Sequence, residues 1–160
     1  MNQKVVEEAG FTVVGIAART SNAREMTTKG VIAKQWGRFM QENLAAQIPN
    51  KADLSIVAVY TDYAGDQDCE YTFVIGARVH SAAEVPPGMV AKTVPAGRYA
   101  MFTSEEGPVE KIVVETWRTI WSVPKSAPGG DRAFQTDFEV YDQRATNPRD
   151  AQVDVYVGIK

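Results

Sequence analysis

Asp137-Phe138-Glu139-Val140-Tyr141-Asp142 alternates aromatic and β-branched residues with polar ones at period 2, the pattern of a half-buried strand. Phe138 and Val140 fall on one face, and Asp137, Glu139 and Tyr141 on the other. Glu139 is then one of two things. On an outer face it is a solvated charge; under an aromatic helix it is a carboxylate walled by Tyr and Trp. A walled carboxylate stays neutral or waits for a cation.

The same element recurs earlier in the chain. Leu54 to Tyr60 (LSIVAVY) reads as a strand, as does Glu70 to Val79, and the Tyr63–Asp68 turn between them makes a hairpin. Ahead of it lie a strand over Phe11–Arg19, with Gly15 marking a bulge or a close backbone approach, and a helix over Val31–Ile48. Thr27 or Thr28 is the expected helix cap, Ile32, Trp36, Phe39, Met40 and Asn43 or Leu44 form its stripe, and Pro49-Asn50 stops it. After the breaker Val85–Gly88 the order repeats. A strand over Val90–Phe102 is kinked at Pro95–Gly97, and Ser104-Glu105-Glu106-Gly107-Pro108 opens a helix. Val109, Ile112, Val113, Thr116, Trp117, Ile120 and Trp121 make that helix's stripe. A loop over Pro124–Gly130 leads to a closing hairpin of Phe134–Tyr141 and Gln152–Ile159 across residues 147–150.

The two halves share a register. Trp36 and Trp117, Tyr60 and Tyr141, and Val74 and Val155 are each 81 residues apart and hold matching places in helix, second strand and third strand. A duplicated βαββ unit follows, an α+β fold with pseudo-repeats 11–79 and 90–159 in a single domain spanning 1–160. The same offset sets Glu139 against Ala58, so one asymmetric acid stands at the seam between repeats.

Composition narrows the function. A chain of 160 residues suits one well-buried domain. Net charge is −3 with a pI near 5.2, which argues against a nucleic-acid or anionic-membrane surface. With one cysteine, Cys69, no intrachain disulfide forms, and one histidine, His80, supports neither a histidine-rich metal site nor a Ser-His-Asp triad. The acidic neighbours of Cys69 disfavour its thiolate. Asp62, Asp66, Asp68 and Glu70 do not match the helix-flanked calcium loop, and no phosphate loop is present. No cofactor is expected. The first residues are not a signal peptide and no apolar run spans a membrane, so the expected location is the cytoplasm.

The residues left to carry chemistry are Glu139 and the aromatics near it. An aromatic-lined acid suits a delocalised organic cation, attracted by the charge and by ring contacts of ~0.5–2 kcal/mol each. Trp36, Trp117 and Trp121 equally serve helix-to-sheet packing, and Trp121, last on its stripe, is the one placed for a pocket mouth. Tyr60 and Tyr141 can donate hydroxyls to a ligand or to Glu139, and Met40 either walls a forgiving pocket or fills core.

The run PPGMVAKTVPAGRYAMF at 86–102, WRTIW at 117–121, DFEVYD at 137–142 and VDVYVGI at 153–159 resemble the effector-binding domain family. That family forms the ligand-sensing half of multidrug-responsive bacterial transcription activators and also occurs alone in gyrase-inhibitor-like proteins. Among stand-alone members the chain is similar to an integron-cassette-encoded cationic drug-binding protein. The resemblance covers nearly the whole chain and implies a curved antiparallel sheet gripping two helices. It also implies a pocket between helices and sheet with an acid at its base, which falls on Glu139, its tyrosine on Tyr141 and its helical tryptophans on Trp117 and Trp121. Residues 1–10 are too short for a helix-turn-helix, so direct DNA binding is not implied.

Two function classes follow. One is a non-catalytic receptor for cationic amphipathic small molecules, which sequesters drugs or signals to a regulator protein. The other is a hydrolase of electrophilic small molecules with Glu139 as general base and Tyr141 polarising the substrate, as the resemblance allows. A pure interaction partner for a gyrase- or regulator-like protein is a third reading. The absence of a nucleophile, metal or oxyanion motif favours binding.

Overall fold

Eight antiparallel strands form one sheet in the computed structural model, which describes residues 2–66, 68–122 and 132–160. The expected loop over Pro124–Gly130 lies outside the described residues. The strands are β1 (Asn2–Glu8), β2 (Phe11–Thr20), β3 (Ile56–Thr61), β4 (Tyr71–Val79), β5 (Val90–Val94), β6 (Gly97–Thr103), β7 (Arg132–Tyr141) and β8 (Asp154–Ile159). Three helices accompany them: α1 (Asn22–Glu25), α2 (Ile32–Gln41) and α3 (Val109–Ser122). None of them is long and apolar enough to cross a membrane. The architecture is α+β, as the sequence predicts.

The sheet order β1-β6-β8-β7-β3-β4-β2-β5 reads the same after the first four strands are exchanged with the last four and the order is reversed. The centre of that exchange is the β3–β7 pair, where Ala58 lies directly opposite Glu139. The 81-residue offset therefore has a geometric meaning: the two positions it equates are neighbours across a pseudo-twofold axis.

The strand pattern is richer than the sequence suggests. Asn2–Glu8 is a strand, although Lys4, Glu7 and Glu8 break its apolar pattern; such charges suit an edge strand with one side wet. Val90–Phe102 is two strands, because the turn at Pro95-Ala96 sends β5 to the β2 edge while β6 pairs with β1 and β8. Each half thus lends its first strand to the other.

Helix boundaries also shift. The expected helix over Val31–Ile48 ends at Gln41, since Asn43 turns left-handed (φ 50°) and Leu44–Gln47 tightens to a 3₁₀ turn. Neither Thr27 nor Thr28 caps α2. The Glu25 carboxylate does so, accepting from the backbone N–H groups of Val31 (2.8 Å) and Ile32 (3.0 Å). Ser104 does not cap α3; its hydroxyl accepts from Val153 N–H (2.9 Å), and α3 starts after Pro108.

Gly15 marks a close approach rather than a bulge. It pairs with Gly76 in unbroken register, and a Cβ on either glycine would lie 2.0 Å from a carbonyl oxygen of the facing strand. Curvature is strong. The rings of Phe11 on β2 and Phe138 on β7 meet at 5.1 Å although two strands separate them. A flat sheet would hold those strands about 14 Å apart. On the other face, α2 packs on β2–β4 and α3 on β6 and β8, with Tyr60 and Tyr141 shared between the two cores.

Candidate functional site

Glu139 points into the helix-covered face and is 1% exposed. Ala58 opposite it has a side chain too small to occupy the same space. Tyr60 and Tyr141 follow Ala58 and Glu139 by two residues each, so both tyrosines rise on the same face beside the acid. Tyr141 donates its hydroxyl to Glu139 Oε1 (2.6 Å), and Tyr60 donates to Oε2 (2.9 Å). Trp117 donates its indole N–H to Oε2 (2.6 Å) from α3. The surrounding rings obey the pseudo-twofold axis: Trp117 meets Tyr60 edge-on at 5.3 Å, and its counterpart Trp36 meets Tyr141 edge-on at 4.6 Å. Glu139 against Ala58 breaks the symmetry.

All three groups bound to Glu139 are neutral. A hydrogen bond to a charged group contributes about 1.5–3 kcal/mol, whereas burying a carboxylate costs several kcal/mol. Burial raises the Glu139 pKa above the ordinary value, against the opposing pull of the bonds from Tyr141, Trp117 and Tyr60. The same burial, with the adjacent carboxylate, raises Tyr60 and Tyr141 far enough that both remain hydroxyl donors.

A cavity of about 270 Å³ opens beside this cage. Its wall includes Tyr60, Tyr63, Tyr71, Trp117, Trp121 and Ile32. Tyr60 and Trp117 therefore face both ways, with ring surface toward the cavity and a polar tip on Glu139. The carboxylate lies one ring layer behind the wall.

The candidate residues separate clearly by position. Glu139, Tyr60, Tyr141 and Trp117 form one hydrogen-bonded cluster. Trp121 lines the cavity, 44% exposed, with its ring 6.1 Å from that of Trp117. Trp36 supports Tyr141 from behind and is not part of the cavity wall. Met40 is 59% exposed and lies outside the cavity wall, because Phe39 takes the inward position on α2.

Sequence reading missed the neighbouring acid. Asp137 shares the Glu139 face and is 0% exposed, and its Oδ2 accepts from Tyr63 (2.6 Å) and Arg132 (2.9 Å). Its Oδ1 accepts from the backbone N–H of Gly158 (2.9 Å), filling a gap where the β7–β8 register slips between Arg132 and Asp137. Two acids at i and i+2 on an inward face were the available signal; the partner Arg132 was not, because the slip alone brings it into reach. Asn22 and Glu25, also in the cavity wall, carried no local signal.

Known proteins share this fold. Residues 4–159 match the family model of the integron-associated effector binding protein Cass2. YobU, a putative transcriptional regulator protein of Bacillus subtilis strain 168, is 40% identical over 148 residues, 91% of this chain and 90% of that protein. The integron cassette protein VCH_CASS2 from the mobile metagenome of Vibrio cholerae superposes with a TM-score of 0.75 at 26% identity, covering 99% of this chain and 95% of that one. SAV2435, solved bound to tetraphenylphosphonium, has the same fold, with a TM-score of 0.78 at 22% identity over 100% of this chain and 94% of its own. The chain belongs to the Cass2 family of integron-associated effector-binding proteins.

Proposed function

We propose that this protein is a non-catalytic receptor for lipophilic organic cations. One observation carries the reading: Glu139 is buried, its hydrogen-bond donors are all neutral, and it stands directly behind the aromatic wall of a cavity. A delocalised cation seated on Tyr60 and Trp117 gains ring contacts of ~0.5–2 kcal/mol each. Both rings donate hydrogen bonds to a carboxylate, which pushes electron density into them and deepens that attraction. Apolar contact with Ile32, Val113 and Trp121 adds about 25 cal/mol per Å² buried. That SAV2435 holds tetraphenylphosphonium in the same fold supports the reading.

A hydrolase is the weaker use of this geometry. A general base needs a free oxygen facing water and substrate. Neither Glu139 nor Tyr141 reaches the cavity surface, so the acid does not face water or a substrate there. Binding of a cation, with sequestration or a signal to a regulator as its consequence, uses the acid where it is.

Titration with tetraphenylphosphonium and with a rhodamine dye, followed by tryptophan fluorescence, tests the proposal. Micromolar binding with quenching is expected. Glu139→Gln should weaken the cations more than tenfold, about 1.4 kcal/mol, and leave neutral triphenylphosphine oxide nearly unchanged. Equal losses for charged and neutral ligands would overturn it.

A further inference from the structure

Glu25 is a second carboxylate in the cavity wall, contributed by α1. Its oxygens accept from Val31 N–H, Ile32 N–H and the Thr20 hydroxyl (2.5 Å), all neutral donors, and among the described residues no ion pair engages it. Oε1 accepts a single bond and so keeps capacity for another. The remaining charged wall residue, Arg132, is cancelled by Asp137. The cavity is therefore bordered by two acids without an ion-pair partner, Glu139 behind Tyr60 and Trp117, and Glu25 beside Asn22 at the N-terminus of α2.

The two acids are separate poles. Between them stands Tyr71, whose ring packs 5.5 Å from that of Tyr60 and whose hydroxyl donates to Asn22 Oδ1 (3.0 Å). Both carboxylates act on that hydroxyl: after burial, Glu25 and then Glu139 raise its pKa. The stretch from one acid to the other is thus paved with tyrosine rings, the surface over which an apolar or aryl linker packs.

We propose that the cavity prefers dicationic ligands, one positive centre held against the Tyr60–Trp117 wall over Glu139 and the other by the Glu25 carboxylate. This rests on the cation-receptor reading above and adds Glu25 as a specificity-determining residue. A monocation satisfies one pole only and leaves the other acid unmatched.

Bis-trimethylammonium alkanes of increasing chain length, measured by calorimetry against the mono-trimethylammonium alkane of equal length, provide the test. One chain length is expected to bind at least tenfold tighter than its monocation, with weaker binding on either side. Glu25→Gln should cost the dication at least tenfold more affinity than it costs the monocation, and an unchanged circular dichroism spectrum shows that the variant is folded. A wild-type series without a length optimum, or a Glu25→Gln loss equal for both ligand types, overturns the dication preference alone. Failure of every mono- and dication to bind overturns the receptor reading as well. The wild-type length series decides the matter even if the variant does not fold.

Discussion

Two carboxylates stand two residues apart on β7, both buried on the same face, and they are stabilised in opposite ways. Asp137 carries its own cation: Arg132 at 2.9 Å, with Tyr63 and the Gly158 N–H completing its shell. Glu139 has only Tyr60, Tyr141 and Trp117, none of them charged. Asp137 joins β7 to β8 across a slip in the ladder, so its ion pair belongs to the architecture. Glu139 meets β3 and α3 through the neutral donors Tyr60 and Trp117 and fills no gap in the ladder; it stands opposite Ala58, where the repeat register requires no charge. A buried acid with an internal cation is balanced within the fold, whereas on the proposed reading one without takes its counter-charge from a ligand.

The contrast can be broken most forcefully at Arg132. Arg132→Met leaves Asp137 buried without a counter-charge, and loss of one partner of a buried pair costs about 3–5 kcal/mol. Urea denaturation should show that loss. Glu139→Gln, which removes a charge lacking a cationic partner, should leave stability at neutral pH unchanged or raised. If Glu139→Gln destabilises as much as Arg132→Met, the two sites do not differ in the way described.

A smaller effect sharpens the comparison through pH. Burial raises the folded-state pKa of Glu139 above its ordinary 4.5, so between 4.5 and the raised value the folded protein holds a proton that the unfolded chain has released. Stability is therefore highest at the acidic end of that window and falls as pH rises through it. Cation affinity runs the other way, rising as Glu139 ionises. Burial raises Asp137 too, against the pull of Arg132, so it contributes a slope of the same sign. Glu139→Gln should flatten the stability profile in part and leave cation affinity without its pH dependence. Identical profiles for wild type and variant would show that Glu139 does not titrate in the window.

The smallest expected effect lies outside the cage. Met40→Ala removes an exposed side chain on α2. It should change stability by less than about 0.5 kcal/mol, with dye affinity unaltered in the same fluorescence titration. A clear loss of affinity would return Met40 to the binding surface.

Much of this was legible before any coordinates. Period-2 alternation marks β7, two β-rich runs about a Gly/Asp turn mark β3 and β4, and the three- and four-residue steps mark α2 and α3. The 81-residue offset placed Ala58 against Glu139, and the structure makes them Cα partners. Tyr141 is legible as the same-face neighbour of the acid, Trp117 from its helical stripe, and Tyr60 from its place near a strand end. Long-range features were not readable. The charged β1 edge hides its strand, and the Pro95-Ala96 turn conceals that β5 and β6 leave for opposite ends of the sheet. Met40 and Phe39 are adjacent on a helix, and apolar type alone does not say which of them turns inward.

The sequence alone determined which side chains share a face and which positions the two halves hold in common, since backbone period and duplication are properties of the chain itself. Tertiary structure alone decided which buried acid received a cation. Arg132 reaches Asp137 through a slip in strand register, and Glu139 meets neutral donors from β3 and α3, contacts created by curvature and packing between segments far apart in the chain.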